Sequence, residues 1–276
     1  MDWRAFGHNH IKNILDKQLE SGRLAHAYLF LGPKGLGKKI LAIEFARKIL
    51  GTENLSTHPD FQILEGEEEI VMQKARDLIA SLSLKPFIAK KKVAIIGNAE
   101  NLNTQSGNSL LKTLEEPSGS TVIILVSSKQ LLPTIVSRCQ VFAFDLFSQK
   151  QLEAFAKAEK ILIDERLANL SFGLPSRLLK FSQDPQFLEQ EKELVKSLAD
   201  LEKMGLGDKL LQVTEYAALE FWELEKIFFT WLMWKVNNLN NDPIGFGAIR
   251  GLLDALIKIK QNQNKKLILQ GLFLKI

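Results

Sequence analysis

The stretch AYLFLGPKGLGKK, residues 27–39, constrains this chain more than any other. A five-residue apolar run breaks at a glycine, and the pattern G-x-x-x-x-G-K is complete from Gly32 to Lys38. Gly32, Gly35 and Gly37 let the backbone turn sharply so that N–H groups point at phosphate oxygens. Pro33, Lys34 and Leu36 fill the intervening positions, and Lys38 is placed to reach terminal phosphates. A strand before the loop and a helix from about residue 37 are the context such a loop needs. The next position takes Ser or Thr where the loop helps hold Mg²⁺; here it is Lys39.

The rest of residues 1–147 fits that beginning. Apolar runs at 61–64, 93–97, 121–126 and 141–144 are short, rich in branched residues and without strict alternation. Strands covered on both faces of a parallel sheet have this character. Segments with helical spacing at 37–50, 70–84 and 104–116 lie between them, so the spacing predicts an α/β layered domain. Strand signals stop near residue 148. Short helices follow, broken at Gly173–Pro175, and from about 186 onward the pattern is helical. Gly205, Gly207 and the stretch 240–247 are the expected breaks.

Hydrolysis of a nucleoside triphosphate also needs a strand that ends in acids, one for the metal and one to activate water. The candidate strand is KKVAIIGNAENLN, residues 91–103, and it carries Gly97 and Asn98 at those positions. Glu100 is acidic but lies beyond the strand tip. Hydroxyl, first acid and base are therefore missing together. Phosphoryl transfer depends on charge neutralisation and water positioning, so three such losses are hard to rescue; the alternative is that Glu100 takes over one of the roles. Arg138, in TIVSRCQVFAF (134–144), falls in a tight segment between the last two strands. Its rigid, permanently charged fork suits either a carboxylate or carbonyl nearby or a phosphate outside the chain.

Several strings resemble one family: RLAHAYLFLGPKGLGKK (23–39), HPDF (58–61), NSLLKTLEEPSGSTVIILVS (108–127) and LLPTIVSRCQ (131–140). They are similar to the bacterial clamp-loader ATPases of the AAA+ superfamily, over about residues 1–182. The resemblance implies an AAA+ P-loop domain (1–147) with a five-stranded parallel sheet. A small helical lid (148–183) and an all-α collar domain for oligomerisation (184–276) would follow. In this family motor subunits (gamma/tau) keep the metal and base residues, whereas another kind of subunit is often degenerate there and keeps the SRC string. This chain resembles the second kind. Arg138 would then be an arginine finger supplied in trans to a motor subunit. Arg177 matches a lid arginine that contacts nucleotide in active relatives, and Ser127 and Ser128 match a polar sensor. Implied partners are gamma/tau and the delta subunit, with the sliding clamp and primer-template DNA reached through the complex. On sequence, Gly32–Lys39 is either an empty relic or a site that holds ATP or ADP without hydrolysing it.

Composition narrows the alternatives. Many relatives carry a four-cysteine zinc module after the first helix of this domain, but the corresponding stretch, 51–58, has no cysteine. Cys139 is the single cysteine, so no zinc and no internal disulfide are expected, in keeping with a reducing cytoplasm. The opening MDWRAFGHNH lacks the apolar core of a secretory signal. The most apolar window, 227–234, is too short for a membrane span, which takes about 20 residues. A net charge of +4 permits nucleic-acid contact without demanding it. Two other readings stand beside the first. One is an autonomous motor-type ATPase in which Lys39 replaces Mg²⁺. The other is a DNA-binding protein that uses Lys85, Lys90, Lys91 and Lys92.

Overall fold

Residues of β1 (Ala27–Leu31) alternate between two packed faces in a computed structural model of the chain. Ala27 and Leu29 face one cluster; Tyr28 and Phe30 pack against the rings of Phe45, Phe142 and Phe144 on the other face. The structure describes residues 3–66, 72–117, 119–237, 243–261 and 263–274. The chain divides into two compact units, Met1–Glu159 with Leu174–Ser176, and Lys160–Gly173 with Arg177–Ile276.

In the first unit β1 joins β2 (Phe61–Leu64), β3 (Lys92–Ile96), β4 (Thr121–Ser127) and β5 (Gln140–Ala143) in one sheet. The strand order is β2-β3-β4-β1-β5, and every pair is parallel. All seven residues of β4 are buried, which is why its run of branched side chains lacks an alternating polar set. Four helices accompany the sheet: α1 (Asn9–Ser21), α2 (Lys38–Leu50), α3 (Met72–Leu82) and α4 (Thr104–Glu115). Leu78 and Leu82 of α3 and Leu110 and Leu114 of α4 close the face that holds Leu29, Ile96 and Leu125. The Asn103 side chain caps α4 by accepting from the Ser106 N–H at 2.8 Å. A single turn, α5 (Pro133–Val136), connects β4 to β5. Helix α6 (Gln149–Ala158) opens on a capping box between Ser148 and Gln151.

The second unit is helical: α7 (Glu165–Leu170), most of α8 (Pro175–Gln183), α9 (Pro185–Lys203), α10 (Leu206–Ala218), α11 (Phe221–Asn237), α12 (Pro243–Lys260) and α13 (Lys265–Phe273). Its core gathers Leu198, Val213, Phe228, Trp231, Leu252, Leu269 and Phe273. The Trp231 indole N–H donates to Glu202 at 2.7 Å, so the largest buried ring keeps its polar atom satisfied.

Two expected helix breaks are narrower than the sequence suggests. Gly205 caps α10, but Gly207 lies in its first turn, where intrahelical bonds are not yet demanded of every N–H. Within 240–247, Pro243 opens α12 and residues 243–247 are helical, because proline fits a first helical position; 240–242 lie outside the described residues. No described helix is long and apolar enough to cross a membrane.

Candidate functional site

The loop Gly32–Lys39 leaves β1 at the carboxyl end of the sheet. The Gly32 N–H donates to the Ser127 carbonyl at 3.2 Å, and the Phe144 N–H donates to the Leu31 carbonyl at 2.7 Å, so both neighbouring strands fix its root. Gly32 has φ +150°, and a Cβ there would stand 2.3 Å from the Phe144 carbonyl oxygen. Gly35 has φ +90°, and its Cβ would meet the Ser176 hydroxyl at 2.1 Å. Neither position accepts a side chain.

The Lys38 ammonium is folded back onto this loop. Nζ donates to the carbonyls of Gly32 (2.5 Å) and Pro33 (2.6 Å). Burial pushes its pKa down to about 8; the charge of Glu100 opposes the fall and that of Lys34 adds to it. Leu36 is buried, and its carbonyl meets His8 Nε2 at 2.8 Å. His8 sits in a left-handed conformation against Phe144 and Phe147. Burial lowers its pKa, so the imidazole favours the neutral form. The N-terminal segment that carries it is bound to α2: the buried Glu44 carboxylate accepts from the Arg4 and Ala5 N–H groups.

Lys39, in the first turn of α2, pairs with Glu65, just past the end of β2, at 2.7 Å. Glu65 also lies beside Gly97, where an added Cβ would come within 3.0 Å of its Oε1. Thus an acid from the end of β2 occupies the space beside Gly97, and an ammonium from position 39 neutralises it. Asn98 is left-handed, and its side chain donates to the Gly66 carbonyl at 3.1 Å. Glu100 is committed elsewhere. It accepts from Ser127 Oγ (3.0 Å), from the Ser128 N–H (3.1 Å) and from the Ser128 hydroxyl. Burial works to raise its pKa, but the hydrogen bonds from Ser128 and Ser127 outweigh that and hold the carboxyl below its usual range. Mg²⁺ requires near-octahedral oxygen ligands, commonly one or two carboxylates. Among the described residues no cluster of three His, Cys, Asp or Glu side chains is placed to hold a metal. Among the described residues, the carboxylates beside the loop are a lysine-paired Glu65 and a serine-saturated Glu100, and these two do not fit the ion.

Arg138 lies at the other end of the sheet from this loop. It follows α5 and precedes Gln140, which pairs with Tyr28, whereas the loop follows Leu31, which pairs with Ala143. The four-residue β5 at about 3.3 Å per residue puts roughly 13 Å of strand between the two backbone positions. Arg138 Nη2 pairs with Glu115 Oε1 at 2.6 Å, and Nη1 donates to the Thr134 carbonyl at 2.8 Å and to Ser137 Oγ at 3.3 Å. Its side chain remains 34% exposed. In the second unit Arg177 is tied up internally. It pairs at 2.8 Å with Glu191, which is fully buried, and lies over the rings of Phe172, Phe181 and Phe187.

The lysine-rich stretch before β3 is a built loop. The buried Asp60 carboxylate accepts from the N–H groups of Phe87 (2.6 Å), Ile88 (2.8 Å) and Ala89 (2.8 Å). Lys91 and Lys92 donate to the carbonyls of Gly119 and Ser81, while Lys85 and Lys90 are exposed. Sequence reasoning singled out the glycines, Lys38, Lys39, Glu100 and Arg138. It missed Glu65, His8, Glu115 and Glu191, whose roles arise only from long-range contact.

A five-stranded parallel sheet of this order, with a phosphate-type loop after β1, between β4 and the edge strand β5, and helices following in the chain, has the layout of a P-loop AAA+ protein. The sequence profile of the DNA polymerase III, delta subunit family matches residues 7–148, and the chain belongs to that family. DNA polymerase III subunit delta' of Pseudomonas aeruginosa is 36% identical over 203 residues, covering 62% of this chain and 62% of that protein. Its counterpart in Bacillus subtilis is 28% identical over 206 residues, covering 67% and 62%. The chain thus spans about three fifths of the length of these relatives. A DNA polymerase III gamma subunit-related protein of Thermotoga maritima shares the fold, with TM-score 0.51 and 18% identity over 94% of this chain and 97% of that one.

Proposed function

We propose that this chain acts as a delta'-type, non-hydrolysing subunit of a bacterial clamp loader. It takes its place in a ring-like assembly beside gamma/tau motor subunits and the delta subunit. Arg138 completes the ATP site of the adjacent motor subunit. The assembly spends ATP to open the sliding clamp and close it around primer-template DNA during replication. The lid (148–183) and collar (184–276) serve the assembly, and Arg177 has left nucleotide sensing for a structural ion pair.

One observation carries the reading: the Arg138 guanidinium and the loop stand at opposite ends of β5, and among the described residues no cluster of acids beside the loop is placed to hold a metal. An arginine so placed does not serve its own loop, and a loop so equipped does not run the reaction. ATP or ADP in the loop would be held by backbone N–H groups, Lys34 and Lys38, and would remain uncleaved. The residues would supply charge and orientation only.

The purified chain tests the second half. Incubated with ATP and Mg²⁺, it should turn over nucleotide at the background rate, and Lys38→Ala should change nothing. Turnover like that of a motor subunit, lost in Lys38→Ala, would establish the autonomous ATPase instead.

A further inference from the structure

We propose that Glu115 is the resting counter-ion of Arg138 and that phosphate on a neighbouring subunit takes the guanidinium from it. The inference rests on the finger reading above and adds a second residue to it. Glu115 is the last residue of α4, and its carboxylate lies 2.6 Å from Arg138 Nη2. An arginine fork binds carboxylate and phosphate through the same N–H geometry, so the two anions compete for one set of donors.

The contacts of Arg138 divide into two kinds. Thr134 and Ser137 belong to the same turn as the arginine and are neutral; they hold Nη1 in place whichever anion is bound. Glu115 comes from a different helix, is 48% exposed, and supplies the only charge among the three contacts. Exchange of the anion therefore needs one half-exposed glutamate to swing out, with the fork kept by its own turn. Before a neighbour's nucleotide arrives, the pair keeps the cation neutralised and oriented. Afterwards the more highly charged phosphate prevails.

Such a counter-ion leaves a kinetic signature that a merely structural glutamate would not. Half-exposed ion pairs of this kind are weak, so competition should shift apparent affinity by about two- to five-fold. The test uses the full chain, reconstituted with its motor subunits and the delta subunit, and reads DNA-stimulated ATP turnover at low ionic strength. Glu115→Gln should lower KM for ATP by that factor with kcat unchanged, and added salt should shrink the difference. Glu116→Gln, one residue along, should leave KM alone. On an Arg138→Ala background Glu115→Gln should have no effect. An unchanged KM in Glu115→Gln, or a fall in kcat, overturns the proposal. If Arg138→Ala lowers turnover and Glu115→Gln does not move KM, the counter-ion alone is rejected. If Arg138→Ala leaves turnover intact, the finger is rejected and the counter-ion with it.

Discussion

Two cations illustrate how residue-level physics separates structure from chemistry. The family resemblance implies a nucleotide-contacting role for Arg177, yet the residue neutralises Glu191, which has no exposure, while Lys226 stands farther off at 3.4 Å. Breaking a buried pair by removing one partner leaves an uncompensated charge, at a cost of about 3 kcal/mol or more. Arg177→Ala should therefore shift the urea midpoint by an amount equivalent to about 3 kcal/mol; a shift under about 1 kcal/mol would mean that Lys226 suffices. Lys38 makes the opposite kind of prediction. Its folded pKa, about 8, lies below the ordinary 10.5. Between those values the unfolded chain binds more protons than the folded one, so this residue makes stability rise with pH across pH 8 to 10.5 and contributes no slope below pH 8. Unfolding curves of wild type and Lys38→Met should diverge in favour of wild type as pH increases through that window. Parallel pH profiles would refute the buried ammonium.

At the scale of elements, the strands were the most legible part of the sequence. The apolar runs at 93–97 and 121–126 become Lys92–Ile96 and Thr121–Ser127, because a strand buried on both faces needs a continuous apolar run. Helix α1 was not singled out, since its burial rests on a few residues such as Ile11 and Leu15. At the site, the glycines and the empty positions 97 and 98 were readable, because loop geometry and metal chemistry demand particular residues at fixed spacing. Glu65 was not, because the pair it makes with Lys39 spans 26 residues and its place beside Gly97 follows from the pairing of β2 with β3. That pair implies that hydrolysis is not one substitution away. Lys39→Thr restores the loop's hydroxyl but leaves Gly97 and Asn98 without carboxylates, so Mg²⁺-dependent turnover by the variant should stay at background. Measurable turnover would show that Glu65, once released, serves the metal. In the helical unit, α11 buries Leu224, Phe228 and Trp231 but exposes Trp222, Phe229 and Val236 at seven-residue spacing. Two helical turns separate each pair, so the three share one stripe. We propose that the stripe is part of the collar's subunit interface. Trp222→Ser with Phe229→Ser should weaken incorporation into the complex in sedimentation while the helical signal is retained; undiminished incorporation would place the interface elsewhere.

The whole molecule is an asymmetry of charge distributed over one sheet. At the carboxyl end of β1, positive lysines face carboxylates that are already paired or saturated. At the far end of β5, a guanidinium rests on an exchangeable glutamate. The net charge of +4 reveals none of this, because function depends on where each cation's partner sits. The most direct test compares two variants of this chain, Arg138→Ala and Lys38→Ala, each in the reconstituted complex, by DNA-stimulated ATP turnover. A finger is worth about 10³–10⁵ in rate at the site it completes. Arg138→Ala should therefore abolish the contribution of the adjacent motor site, and Lys38→Ala should leave turnover at the wild-type level. The reverse pattern, loss with Lys38→Ala and none with Arg138→Ala, would contradict the account.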